Sequence, residues 1–308
     1  MSRRALITGI DGFTGTYVQE MLERAGFEVF GISLGDATSP TFYKADLTNE
    51  QALTEIVANV KADVVIHLAA QANVAHRNLS EMYLSNVLGT RNLLSALHST
   101  GSAEQIILAS SATVYGVTDN PTEASPVSPT NDYGFTKAAS ELLAHTIFKA
   151  LPITIVRPFN YTGAGQSENF VIPKIVNHFA RKESEISLGA INVEREFNDV
   201  RWVSEIYTAL AAQKARSGTI VNICSGKPVS LSKVIQILED VSGHRLSIQV
   251  DQSLVRKGEI KRLSGNNSGL VDLLPDCSNA PPLEETLDWM YRDSLKKLAE
   301  GNQTIINR

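Results

Sequence analysis

The chain runs to 308 residues with 43% hydrophobic and 20% charged side chains and a net charge of -5. That make-up suits a soluble protein of one large or two modest domains, each able to bury a core. The mild acidity and the lack of a basic tail speak against a nucleic-acid partner, and two cysteines, Cys224 and Cys277, make neither a disulfide framework nor a metal cluster. MSRRALITG enters a strand at once with no long apolar stretch behind it, so no signal peptide is expected, and no run of about 18 apolar residues follows. The expectation is a cytoplasmic protein with no membrane contact and no metal.

ALITG is a short apolar strand, IDGFTG follows, and a helical pattern then passes through Met21, Leu22 and Ala25. Gly9, Gly12 and Gly15 give a G-x-x-G-x-x-G spacing between strand and helix, where glycine lets the turn tighten and lets the backbone approach a pyrophosphate at the helix N-terminus. The next strand, FEVFGISL, ends in Ser33 and Leu34, where an NAD site usually places a carboxylate for the ribose diol. Without that carboxylate a 2′-phosphate is admissible, and the reading favours NADP(H), although no arginine stands beside Ser33 and Asp36 is close in sequence. TFYKADLT brings Asp46 and Leu47 to a strand end, Asn49 to Val60 reads as a helix, and ADVVIHLAA is a fourth strand, nearly all apolar as for a strand covered on both faces. Its end, Leu68, Ala69, Ala70 and Gln71, is small enough for a cofactor to cross, and His67 reads as a packed strand residue.

Ser80 to Ser99 fits a long helix with Asn86, Gly89 and Thr90 facing inward. EQIILASSATVYG is the fifth strand, and Ser110, Ser111 and Thr113 open onto the loop at its C-terminal end, the side on which open α/β sheets bind ligands. DNPTEASPVSPT reads as a surface loop. It leads to NDYGFTKAASELL, a helix to about Ala150, in which Tyr133 and Lys137 stand one turn apart on one face. A cation beside a phenol favours the phenolate and would lower its pKa toward neutrality. LPITIVRPFN is the sixth strand. Six strands alternating with helices read as an α/β fold, a doubly wound parallel sheet of Rossmann type.

After Asn160 the rhythm changes to helices among isolated short strands, EISLG, GTIVNICSG and LSIQV, which suggests a smaller α/β cap. Residues 1–165 are expected to form the dinucleotide-binding domain, with some later segments returning to it, and 166–308 mainly the substrate domain. A substrate would sit in the cleft between them. Arg195, Arg256 and Lys257 are the cap's notable cations and suit a substrate carrying its own pyrophosphate. A last helix starts near Pro282 with Leu283, Leu287, Trp289 and Met290 as packing residues, and GNQTIINR reads as a frayed tail.

Taken together, Gly9, Gly12 and Gly15, the HLAA at His67, SSATVYG from Ser110 to Gly116, Tyr133 with Lys137, RPFN from Arg157 to Asn160 and the run Arg256 to Glu259 resemble the extended short-chain dehydrogenases/reductases that act on nucleotide sugars. The resemblance covers about residues 3–292. It implies Ser111 as the catalytic hydroxyl, Tyr133 as the proton donor, and Lys137 as the residue that holds the nicotinamide ribose and lowers the Tyr133 pKa. It implies cofactor contacts from Gly9, Gly12, Phe13, Thr14, Gly15, Ser33, Asp46, Leu47, Leu68, Ala69, Ala70, Tyr133 and Lys137, with NADP(H) or NAD(H) as cofactor. Substrate contacts would come from Thr113, Asn160, Asn169, Arg195, Arg256 and Glu259, and Asn86 would order the active-site helix. Asn177 reads as a helix-surface residue within reach of a nucleotide base. A homodimer through the helices at 80–99 and 133–150 is expected on the same ground.

Within the family, 4,6-dehydratases carry an acidic residue just after the catalytic Ser or Thr. Ala112 and Thr113 stand there, so elimination is not expected. The 4-epimerases share SSATVYG, whereas VRPFNYTGAGQSENFV, VNICSG and the compact length are more similar to reductases of GDP-4-keto-6-deoxy-D-mannose, giving GDP-D-rhamnose or GDP-6-deoxy-D-talose. Ala164 departs from the proline usual between these glycines, and Asn266 and Asn267 lie in a stretch that varies with the nucleotide. A reductase of a dTDP-linked keto-sugar, an NAD-dependent epimerase, and a redox-silent dinucleotide-binding protein are the other readings.

Overall fold

The computed structural model describes residues 2–72, 78–214, 216–254 and 261–306. The N-terminal half alternates strand and helix: β1 (Arg4–Thr8), α1 (Phe13–Arg24), β2 (Glu28–Ser33), β3 (Phe42–Lys44), α2 (Glu50–Val60), β4 (Val64–His67), α3 (Leu79–Tyr83), α4 (Gly89–Thr100), β5 (Gln105–Ala109), α5 (Asp132–Thr146) and β6 (Ile153–Pro158). Local chemistry sets several boundaries. The side chains of Asn49, Asn78 and Asn131 accept from backbone N–H groups of the first turns of α2, α3 and α5, and Lys61 and Gly101 close α2 and α4 in the left-handed region.

The long helix expected over 80–99 is interrupted. Between α3 and α4, Leu84–Leu88 forms a π-helical turn centred on the buried Asn86. Such turns insert a residue into the helical ladder and release a carbonyl from it. Here Asn86 O accepts from Thr90 Oγ1 at 2.6 Å and from Ser140 Oγ of α5 at 3.1 Å.

The C-terminal half continues with β7 (Tyr161–Thr162), α6 (Val171–Ala180), β8 (Glu185–Leu188), β9 (Glu194–Arg195), β10 (Asn198–Asp199), α7 (Val200–Ala212), β11 (Ile220–Ile223), β12 (Val229–Ser230), α8 (Leu231–Ser242), β13 (Ser247–Val250), β14 (Arg262–Leu263), α9 (Ser268–Leu273) and α10 (Leu283–Ile306). The main sheet has seven strands in the order β11-β6-β5-β4-β1-β2-β3, every neighbouring pair parallel. The short strands of the second half are therefore not isolated. GTIVNICSG supplies the edge strand β11, in register with β6 from Ile220↔Ile155 to Ile223↔Pro158, and EISLG and LSIQV pair in parallel as β8 and β13. The final helix also continues to Ile306, so residues 301–306 of GNQTIINR are helical and not a frayed tail.

Alternation along the strands sorts the core into two layers. Ala5 and Ile7 face α1, α7 and α9, packing with Val18, Leu22, Trp202, Ile206 and Leu270, whereas Leu6 faces α2, α4 and α5, with Leu53, Val57, Leu93, Leu97 and Ala144. A separate core gathers α6, α8 and α10 around Ile175, Phe179, Val234, Leu238, Leu287 and Met290. Among the described residues no helix is long and apolar enough to cross a membrane.

One buried carboxylate ties the second half to the main sheet. Glu196, fully buried after β9, accepts from Ser225 N at 2.7 Å and from Ser225 Oγ at 3.2 Å, just beyond β11. It also accepts from Gly265 N at 2.8 Å and Ser264 Oγ at 3.1 Å, just beyond β14, and from Asn198 Nδ2 at 3.2 Å. Five donors take the place of the water that a charged carboxylate requires.

Candidate active site

The sheet order reverses between β1 and β4, and the C-terminal ends of these two strands form the crevice where open α/β sheets take their ligands. Gly9, at φ +73°, makes the first turn, and a Cβ there would stand 2.9 Å from Ala69 Cα. The glycine turn thus rests directly on the end of β4, whose residues Leu68, Ala69 and Ala70 are half-exposed at the crevice. A Cβ on Gly15 would collide with Gly9 O, so the first turn of α1 also closes only with glycine. This cradle fits a pyrophosphate on the N-terminus of α1. Phe13 and Thr14 lie at that terminus, where the Phe13 ring stacks on Tyr161 with centroids 6.2 Å apart and Thr14 Oγ1 lies 2.7 Å from Tyr161 Oη.

The second part of the site comes from the end of β5. Three consecutive residues leaving that strand meet three residues of α5 spaced one turn apart. Ala109 O accepts from Lys137 Nζ at 2.7 Å. Ser110 Oγ donates to the Glu141 carboxylate, and Ser111 is hydrogen-bonded to Tyr133. The helix can lie this close because position 134 is glycine: a Cβ there would stand 2.9 Å from Thr113 O. Ser111 Oγ also accepts from Thr113 N at 3.2 Å and Thr113 Oγ1 at 3.0 Å. With both lone pairs engaged, the single hydroxyl proton is left to donate toward Tyr133 Oη or a substrate oxygen.

Behind these rungs lies a buried ion pair. Arg157, at the end of β6, donates to Glu141 through Nε at 2.9 Å and Nη2 at 2.6 Å, and through Nη1 to Tyr115 Oη at 2.8 Å. Tyr115 Oη in turn donates to Asn222 Oδ1 at 2.7 Å on β11. The ends of β5, β6 and β11 and the middle of α5 are thereby joined in one network.

The electrostatics depart from the expected direction at Tyr133. Burial, then the neighbouring Tyr161, push its phenol above the ordinary value, and the Ser111 hydrogen bond is the opposing influence. Lys137 Nζ lies 5.9 Å from the centroid of the Tyr133 ring and is bound to Ala109 O. Its own charge is penalised by burial, which lowers it to about 8 against the opposing attraction of Glu141. His67, with Nδ1 2.6 Å from Thr8 Oγ1 and Nε2 2.9 Å from Thr90 Oγ1, is lowered to about 3 by burial and then by Lys137. It is a neutral histidine with both ring nitrogens partnered. Asn86 accepts from Gln71 N at 2.8 Å and donates to Thr136 Oγ1 at 3.0 Å, joining the end of β4 to α5.

The NAD dependent epimerase/dehydratase family matches residues 5–224. The chain belongs to this family, as an extended short-chain dehydrogenase/reductase. Its cofactor is accordingly a nicotinamide dinucleotide, NAD(H) or NADP(H). The chain is 31% identical to GDP-6-deoxy-D-talose 4-dehydrogenase of Aggregatibacter actinomycetemcomitans, over 96% of this chain and 99% of that protein. It is 31% identical to GDP-6-deoxy-D-mannose reductase of Pseudomonas aeruginosa, over 95% and 99% of the two chains. The solved structure of RMD from Pseudomonas aeruginosa complexed with NADPH superposes with a TM-score of 0.84 at 29% identity, covering 96% of this chain and 99% of that one. UDP-glucuronate and UDP-glucose 4-epimerases match as well, at 29% and 28% identity.

The remaining expected site residues are spread more widely. Ser33 ends β2, and Gly9 N donates to the preceding Ile32 O at 2.7 Å, so Ser33 lies beside the glycine turn. Asp46 is exposed and accepts from Thr48 N at 2.8 Å, while Leu47 is packed in the core, where a Cβ on Gly89 would stand 2.8 Å from its Cβ. Asn160 is exposed beyond β6, and its carbonyl accepts from Asn198 N at 3.0 Å. Asn169 is exposed, and its N–H donates to Ser167 Oγ at 3.3 Å. Arg195 lies on β9, paired with both β12 and β14, and donates to Glu194 O at 2.8 Å. Arg256, Lys257 and Glu259 lie outside the described residues. Sequence reasoning missed Tyr161, Glu141 and the role of Arg157. Tyr161 directly follows RPFN, and Glu141 lies one turn beyond Lys137, so both were within reach of the spacing argument.

Proposed function

We propose that this protein reduces the C4 ketone of a nucleotide-linked 4-keto-6-deoxy sugar, GDP-4-dehydro-6-deoxy-D-mannose giving GDP-D-rhamnose or GDP-6-deoxy-D-talose. A bound reduced nicotinamide would supply a hydride for C4, and the chain's own residues hold and deliver the proton. Tyr133 gives its phenolic proton to the C4 oxygen as the hydride arrives, and Ser111 donates a hydrogen bond to the same oxygen, so the ketone becomes an alcohol with one hydride and one proton gained. Lys137 contributes a positive charge beneath the phenol and donors for the ribose. Arg195, with Arg256 and Glu259 from the segment beyond β13, would meet the diphosphate and sugar, and Thr113 fixes the Ser111 rotamer.

The observation that carries this reading is the contact of Tyr133 with Ser111, whose Oγ accepts from Thr113 N and Thr113 Oγ1 and so keeps its proton to donate beside the phenol. Reduction needs an acid there. Elimination would need a carboxylate beside Ser111, and Ala112 and Thr113 supply none. The named activities of the GDP-deoxysugar relatives support the substrate class, and those of the epimerases keep a 4-epimerase as the competing reading.

The test is NAD(P)H oxidation with GDP-, dTDP- and UDP-linked 4-keto and 4-hydroxy sugars, the product assigned by NMR. Stoichiometric oxidation with the GDP 4-keto sugar is expected. Interconversion of 4-hydroxy sugars without net oxidation would make it an epimerase. Tyr133→Phe should lose on the order of 10²–10⁴ in kcat while binding dinucleotide normally, and undiminished turnover in that variant would refute the mechanism.

A further inference from the structure

The end of β2 lacks the carboxylate that holds an adenosine ribose diol, yet the structure brings one to the same place from another element. Asp11 lies in the glycine turn between Gly9 and Gly12, and its side chain reaches over Gly35. A Cβ placed on Gly35 would stand 2.9 Å from Asp11 Oδ2 and 3.5 Å from Ser33 Oγ. A side chain at position 35 would displace that carboxylate, so the glycine leaves the space that Asp11 occupies. Among the described residues the Ser33 hydroxyl makes one long contact, of 3.5 Å, to Gly35 O, so it too has bonding capacity left for a ligand.

The third group at this corner comes from the sheet register. β2 and β3 pair with Ser33 opposite Lys44, and Lys44 Nζ is bound to Asp36 Oδ1 at 2.7 Å. Lys44 is the cation that a 2′-phosphate would seek, and in the structure it is shared with Asp36 in a solvent-exposed pair. Asp11, Asp36 and Lys44 together leave one negative charge. A 2′-phosphate would bring about -1.5 to -2 more charge into it at neutral pH, whereas a ribose diol offers two hydroxyl donors to the Asp11 carboxylate.

We infer that Asp11 takes the role of the missing β2 carboxylate, accepts the 2′- and 3′-hydroxyls of the adenosine ribose, and makes NAD(H) the preferred cofactor. The inference rests on the dinucleotide reading of the glycine turn. It reverses the preference for NADP(H) suggested by the sequence, because that expectation weighs only residues adjacent to the strand end. The specificity element is 22 positions upstream of Ser33 and becomes visible only when the turn is folded against β2.

The experiment is isothermal titration of the whole protein with NADH and NADPH, which needs no sugar and is independent of turnover. Wild type should bind NADH at least tenfold more tightly than NADPH. Asp11→Asn, nearly isosteric, and Asp11→Ser should each shrink that ratio at least tenfold, with unchanged urea midpoints showing that the fold is kept. Asp36→Ala, which releases Lys44, should strengthen NADPH alone. Tighter binding of NADPH by wild type, or a ratio indifferent to both Asp11 variants, would overturn the inference and leave the reductase reading standing. Failure to bind either dinucleotide would overturn both.

Discussion

Lys137 carries a charge into a place with almost no water, and the consequences are readable by titration. Burial lowers it to about 8, with Glu141 opposing. Below that pH it is an ammonium and above it an amine, so kcat/KM for reduction should fall above about pH 8, and Lys137→Arg should move the falling limb to higher pH. A limb unmoved in that variant would assign it to another group. Stability carries the opposite sign. Because the folded value lies below the unfolded 10.5, the unfolded chain holds more protons between pH 8 and 10.5, and wild type should gain stability relative to Lys137→Met as pH rises through that window. Urea midpoints of the two proteins at pH 7.5 and 10 would show it.

At the same scale, Tyr133 and Lys137 were legible because a helical period needs only sequence to place two side chains on one face. The shift of Tyr133 was not. It depends on burial and on Tyr161, which arrives from beyond β6, so a neighbour counted along one helix gave the wrong direction. The Asp11 carboxylate escaped for the same reason, since its position over Gly35 is a contact between separate elements.

Among the elements, α5 does most to hold the site together. Its residues 133, 137 and 141 meet the three residues that leave β5, and Glu141 receives both Ser110 and Arg157. Removing the carboxylate charge leaves a buried guanidinium unpaired, so Glu141→Gln should lose about 3–5 kcal/mol in urea denaturation. Pairing it with Arg157→Leu should recover part of that loss, and a double variant no better than the single one would show that the pair is not the source. The existence of α5 and of the strands around it was legible from apolar runs, but their ends were not: the helix expected to reach about Ala150 stops at Thr146, and the strand read through Gly116 stops at Ala109. The π-helical turn at Leu84–Leu88 was not, because a one-residue insertion leaves the apolar pattern of 80–99 nearly unchanged.

Across the whole molecule, α3 to α5 leave an apolar surface. Leu79, Tyr83, Leu84, Phe135, Leu142 and Ile147 are all exposed. We propose that this face joins two copies, as the sequence resemblance implies, and Leu142→Glu with Ile147→Glu should then halve the mass seen by light scattering. An already monomeric wild type would dismiss the idea. The α/β class and the glycine cradle were legible from alternation and spacing. The place of GTIVNICSG was not, since a four-residue strand carries no mark of which sheet it will join.

That edge strand also bears on the order in which the protein can assemble. β11 is the edge strand of the main sheet and α7 covers one of its faces, yet both are encoded after residue 165. While the first 165 residues are being synthesised, β6 has an unpaired edge and Ile7, Ile66, Ile107 and Val156 lack their cover of Trp202, Val203 and Ile206. A nascent chain of that length presents an open apolar surface and a free strand edge, both of which invite aggregation. A fragment ending at 165 should therefore precipitate or bind chaperones, while the full chain, which also supplies α8 and α10 to cover α6, should stay in solution, as sedimentation of the two would show. The cofactor crevice would then become a stable structure only late in synthesis.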